Sequence, residues 1–185
     1  MSTASHEYKS LAGRSKEELE RIFRAGETPS VEGILGFEYR GYNHPRMMSL
    51  LGIRKFIKGF FKSELGETFG CNTPVVQNEL DGEWVCKGDD ARPKRFGFFR
   101  VAPVDPESKD NEYLHSLLLD YGRGGNPIYD PSKVIRDYLV RVEPGSDDLL
   151  LGKAYLALGP MRPASNFFLL ERHRPMYVEP KITHR

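Results

Sequence analysis

Long hydrophobic runs are missing from this sequence: nothing approaches the ~18 consecutive apolar residues that a membrane-spanning helix needs, so no membrane span is expected. The first residues, Met1 to Lys9, are polar and lack the apolar centre of a signal peptide, which makes a cytoplasmic protein the expectation. Charge of one sign is missing too. A formal net charge of +1 removes the electrostatic footprint of a nucleic-acid binder, and no nucleic-acid partner is expected. The short basic clusters Arg92, Lys94, Arg95 and Arg172, Arg174 read as loop or strand-end charge. Only two cysteines occur, Cys71 and Cys86, with no partner set at metal-ligand spacing, so no metal site is expected. In a reducing compartment both stay thiols, a bridge between neighbouring strands being the alternative. Motifs that carry chemistry are equally scarce. There is no helical His-Glu-x-x-His, no nucleophile elbow and no phosphate-cradling loop before a helix, and no catalytic residue can be named. Gly122 to Gly125 precedes Asn126 and Pro127, the composition of a turn.

What is present is a series of strand patterns behind a helix signal. Ser15 can cap a helix from Lys16 to Ala25, with Glu18 at the capping-box position and Leu19, Ile22 and Phe23 as one apolar stripe; Gly26 and Pro29 end it. Ile34 to Asn43 then alternates with period 2, placing Phe37, Tyr39 and Gly41 on one face and Glu38, Arg40 and Tyr42 on the other. Strand-like runs follow at 56–62, at 75–80 and 83–86 around an Asp81-Gly82 hairpin signal, at 95–101, 113–121, 133–142, 149–158 and 166–172. Residues 102–111, with two prolines, read as a surface loop. Turn signals recur between the strands and no helix pattern interrupts them. The prediction is a mainly β, antiparallel up-and-down barrel of about eight to ten strands, closed so that no edge is left exposed. One domain over 15–174 is expected, between a flexible N-terminus, 1–14, and a C-terminal tail, 175–185.

The helix, the glycine-aromatic strand from Gly36 to Gly41, Lys58-Gly59-Phe60, Ile128 to Pro131, Ile135-Arg136-Asp137, Leu151-Gly152-Lys153 and Phe167 to Arg172 together resemble a calycin-like bacterial barrel family. Its members, like lipocalins and nitrobindin-like barrels, open with a Gly-x-Trp-x-Gly strand. This chain departs from that pattern by carrying Tyr39 where the family has tryptophan. The resemblance implies that Tyr39 on the first strand packs under Arg172 of the last, a structural fastening of the barrel end.

A ligand-holding barrel interior is mostly apolar with a few convergent polar groups. His115, Tyr138 and Tyr155, from three successive strand patterns, are the candidate ligand contacts, with Arg136 as partner for an acidic head group and Lys153 beside them. Met47 and Met48, between Pro45 and Gly52, are candidates to cover the mouth. His115 is a haem ligand, a general base or a satisfied core residue, and His44 is the alternative ligand. The leading expectation is a carrier or sensor of a small hydrophobic or amphipathic molecule. The alternatives are a haem or tetrapyrrole barrel, and a cyclase or isomerase acting on a small hydrophobic substrate.

Overall fold

Eight strands pair in chain order, each antiparallel to the one before, and the eighth returns to pair with the first. They are β1 (Phe37–Asn43), β2 (Lys55–Lys62), β3 (Thr68–Pro74), β4 (Phe96–Pro103), β5 (Leu117–Asp120), β6 (Ile135–Arg141), β7 (Leu149–Leu156) and β8 (Ala164–Pro175). The computed structural model describes residues 3–44, 53–89 and 92–180. The expected closed up-and-down barrel is thus the fold, consistent with a calycin-like architecture, and the closing register sets Tyr39 opposite Arg172 and Asn43 opposite Phe168.

The inner wall is filled by side chains. In an eight-stranded barrel the inward residues just fill the interior, and here large rings lie against glycines of the neighbouring strand. A Cβ on Gly41 would stand 2.3 Å from the Phe56 ring, one on Gly70 2.2 Å from Phe99, and one on Gly152 2.0 Å from Phe168. Tyr39, Phe60, Val101, Leu117, Leu119, Leu139, Leu150 and Leu170 complete this inner cluster.

Three short helices precede the sheet. In α1 (His6–Ala12) Ser5 caps the first turn, and Tyr8, Leu11 and Ala12 are buried. This helix occupies part of the segment expected from sequence to be flexible, because its apolar residues find the outer wall of the barrel. Helix α2 (Lys16–Ala25) carries the expected capping box of Ser15 and Glu18. Its Leu19 and Phe23 join Tyr138, Val140, Leu149, Leu151, Tyr155, Phe167 and Leu169 in a second apolar layer outside the barrel. Helix α3 (Val31–Ile34) tucks Ile34 into the inner cluster at one barrel end.

The sequence pattern misplaces two strands. Residues 75–80 and 83–86 form no ladder: an isolated bridge between Val75 and Cys86, the Val76 N–H to Val85 O bond and the Asn78 side chain on Glu83 O join them, and Asp81 and Gly82 do turn. Carbonyls that a ladder would use point instead at the Lys55 ammonium, which donates to Glu79 O (3.0 Å), Gly82 O (2.7 Å) and the Asn78 side chain. The strand between β2 and β4 is Thr68–Pro74, whose inward residues Gly70 and Asn72 hide the apolar alternation. No disulfide joins Cys71 and Cys86. Among the described residues no helix is long and apolar enough to cross a membrane.

Candidate functional site

One charged residue stands on the inner face of β2 and one of opposite sign on the inner face of β6. Lys58 lies between Phe56 and Phe60, with Tyr39 opposite it on β1 and Asn72 on β3. Asp137 lies between Ile135 and Leu139. The two meet inside the barrel. Lys58 Nζ donates to Asp137 Oδ2 at 3.2 Å and to the Tyr121 hydroxyl at 2.7 Å, and that hydroxyl lies 3.2 Å from the same carboxylate oxygen. Asn72 Nδ2 donates to the Tyr121 oxygen at 3.3 Å and to Gly97 O at 2.9 Å. Tyr121 arrives from a 3-10 turn, Tyr121–Arg123, that follows β5 and is capped by Asp120. A type of turn that the sequence signals only as glycine-rich therefore delivers an interior phenol.

Rings surround the ammonium. Nζ lies 4.5 Å from the Phe99 centroid, 5.2 Å from those of Tyr121 and Phe168, and 5.6 Å from that of Phe56. Their faces favour a cation, yet they supply no hydrogen-bond acceptor comparable to water. Lys58 and Asp137 are only 2% and 4% exposed, so burial is the dominant electrostatic influence on both. It pulls the Lys58 amine below its ordinary range, against the opposing pull of Asp137. It pushes the Asp137 carboxyl up, against Lys58 and Tyr121. Tyr121 is held well above the ordinary phenol range by burial and by the neighbouring carboxylate. Both members of the pair are displaced toward their neutral forms, the arrangement of an amine and an acid that can exchange a proton.

The residues expected from sequence converge elsewhere. Tyr138 and Tyr155 do meet, with ring centroids 5.5 Å apart, but on the outer face of β6 and β7 beneath α2. Tyr113 joins them, its hydroxyl 2.8 Å from that of Tyr155 and 2.6 Å from Lys153 Nζ, and Lys153 continues to Glu20 of α2 at 2.7 Å. This chain of contacts ties the helix to the barrel. His115 precedes β5, and its Nε2 lies 3.2 Å from the Phe23 carbonyl oxygen at the end of α2. Arg136 also faces outward, paired with Asp110 at 2.9 Å and Asp120 at 3.0 Å. The interior placement expected for these four is therefore not what the fold adopts. His44 has its Nε2 2.9 Å from Arg14 O. Neither candidate histidine addresses the interior, so they do not fit the axial ligand of an enclosed haem. Met47 and Met48 lie outside the described residues. Tyr39 and Arg172 do pack together: the guanidinium carbon is 5.4 Å from the Tyr39 centroid and 4.0 Å from that of Phe37, while the Tyr39 hydroxyl donates to Asp147 O at 2.8 Å.

The interior pair carries a signal in the sequence. A charge flanked on its own face by large apolar residues, positive in Phe56-x-Lys58-x-Phe60 and negative in Ile135-x-Asp137-x-Leu139, marks side chains that need a partner where that face turns inward. Compared with models of protein families, with curated proteins and with solved structures, the chain finds no match.

Proposed function

We propose that the barrel binds a small amphipathic molecule, with its polar group at Lys58, Asp137 and Tyr121 and its apolar body among Phe56, Phe99 and Phe168, as a carrier or sensor. The observation that carries this reading is the ion pair itself. A buried pair of opposite charges is a poor stabiliser, and apolar residues of similar volume commonly do as well or better. Ionisable groups displaced toward neutrality by burial beside a specific charge partner are a recurrent mark of functional sites, and a closed barrel is a fold that can enclose a ligand. The likeness of several strands to calycin-like barrels supports the same reading, since that architecture encloses small hydrophobic molecules. The rings already lie against Gly41, Gly70 and Gly152, so entry of a ligand requires Phe56, Phe99 or Phe168 to change rotamer.

The test is native mass spectrometry of the purified protein, wild type against the double variant Lys58→Met/Asp137→Leu, before and after exposure to a cell extract of small molecules. A molecule retained by the wild type and absent from a folded double variant supports the binding reading. Equal retention by both, or none by either, shows the interior to be a packed core with no binding role.

A further inference from the structure

The interior lysine is better suited to a bond than to a salt bridge. We propose that Lys58 is a carbonyl-capturing amine, condensing with an aldehyde or ketone group of the enclosed molecule to form a Schiff base, with Asp137 as proton donor and counter-ion. This rests on the reading that the interior receives a small molecule. The geometry that supports it is the identity of the partners. Lys58 Nζ faces a carboxylate at 3.2 Å and a phenol at 2.7 Å, of which the carboxylate can take a proton and leave a neutral amine. Lys55, the other buried lysine of β2, makes the contrast. Its Nζ is surrounded by the oxygens of Asn78, Glu79, Gly82 and Glu83 and sits 3.6 Å from the Trp84 centroid. Amide oxygens accept hydrogen bonds but not protons, so Lys55 has no base beside it to receive its proton, whereas Lys58 has the Asp137 carboxylate. Burial acts on the Lys58 pair in the same direction, favouring amine and acid over ammonium and carboxylate.

The condensation balances without a further reagent. The Lys58 lone pair forms a carbon–nitrogen bond to the carbonyl carbon while the oxygen takes the Asp137 proton. The nitrogen returns its extra proton to Asp137, leaving a neutral carbinolamine. Asp137 then protonates the hydroxyl, which departs as water as the nitrogen lone pair closes the double bond. The product is an iminium opposite the Asp137 carboxylate, with the Tyr121 hydroxyl placed to hold the carbonyl oxygen along the way.

Full-length protein is incubated at pH 7 with benzaldehyde and sodium cyanoborohydride, and the added benzyl groups are located by tandem mass spectrometry. An exposed lysine of ordinary pKa is free amine to only about 0.04% at this pH, so the interior amine should react about tenfold faster or more. Expected is an adduct on Lys58 that forms faster than those on surface lysines and is absent from a folded Lys58→Arg protein; the α-amine, of ordinary pKa about 8, and Lys55, lowered to about 8, are each partly free amine and are followed as separate sites. Benzyl alcohol, of the same size without a carbonyl, is followed in parallel by saturation-transfer NMR. The absence of a fast adduct on Lys58 while benzyl alcohol still binds overturns the capture chemistry alone. No benzyl alcohol binding and no Lys58 adduct overturn the binding reading as well.

Discussion

Removing one member of the interior ion pair is expected to destabilise the protein more than removing both. Lys58→Met leaves Asp137 buried with only Tyr121 for company, a loss of about 3–5 kcal/mol for a broken buried pair, reduced by whatever protonation of Asp137 recovers. Lys58→Met/Asp137→Leu should unfold in urea at a midpoint close to that of the wild type or above it. A double variant as weak as the single one would mean that the pair is needed for the fold. Lys55 offers a second experiment, because it lies over the only tryptophan of the chain. Burial lowers its pKa to about 8, with Arg40 adding to the effect. Trp84 emission should therefore titrate with a midpoint near 8, and should not do so in Lys55→Met. The sign for stability follows from the same displacement. Between about pH 8 and the ~10.4 of an unfolded lysine the unfolded chain holds more protons, so the contribution of this group to stability rises with pH across that window. Tyr39 is the residue-scale test of fastening. Tyr39→Ala removes a fully buried ring beneath Arg172 and its bond to Asp147, and a loss of about 3–5 kcal/mol should appear as a Tm lower by roughly ten degrees.

Strands and the faces they bury decide how much of this molecule can be read in advance. Gly152→Ala on β7 sets a methyl group 2.0 Å from the Phe168 ring, and overpacking of this kind costs about 1–3 kcal/mol. Thermal unfolding should show the loss, and Phe168→Leu in the same chain should recover part of it by clearing the space. The alternation of β1 and β2 is legible because their inward residues are aromatic. That of β3 is not, because its inner wall is Gly70 beneath Phe99 and Asn72 beside Tyr121. The four misplaced site residues have a related cause. Residues on both faces of β6 and β7 are buried, the inner against the core and the outer against α2, so period 2 separates the faces without saying which is inside. Tyr138 and Tyr155 are neighbours, as their successive strands imply, and lie on the outer side of the sheet beneath α2. The polar pair that does lie inside was visible as two isolated charges, but nothing local to β2 or β6 says that they meet across the barrel.

The whole molecule depends on one long-range junction. Seven of the pairings join strands adjacent in the chain, and the eighth joins β8 to β1. That closure leaves no row of unpaired backbone groups on either flank, so amides of β1 should exchange hydrogen only through global opening, as slowly as those of β7. Exchange of β1 at a local-opening rate would show the junction to be a seam that parts by itself. The same junction has a consequence during synthesis. Asn43 cannot meet Phe168 until the 124 residues between them have been made, which at about 5–20 residues per second takes roughly 6–25 s. Throughout that interval the growing meander carries two open flanks, one of them β1 with the aromatic inward face that the finished barrel hides. The hazard of this fold is therefore concentrated in translation, where the speed of elongation and the attendance of chaperones on the nascent chain govern how much of it ever closes.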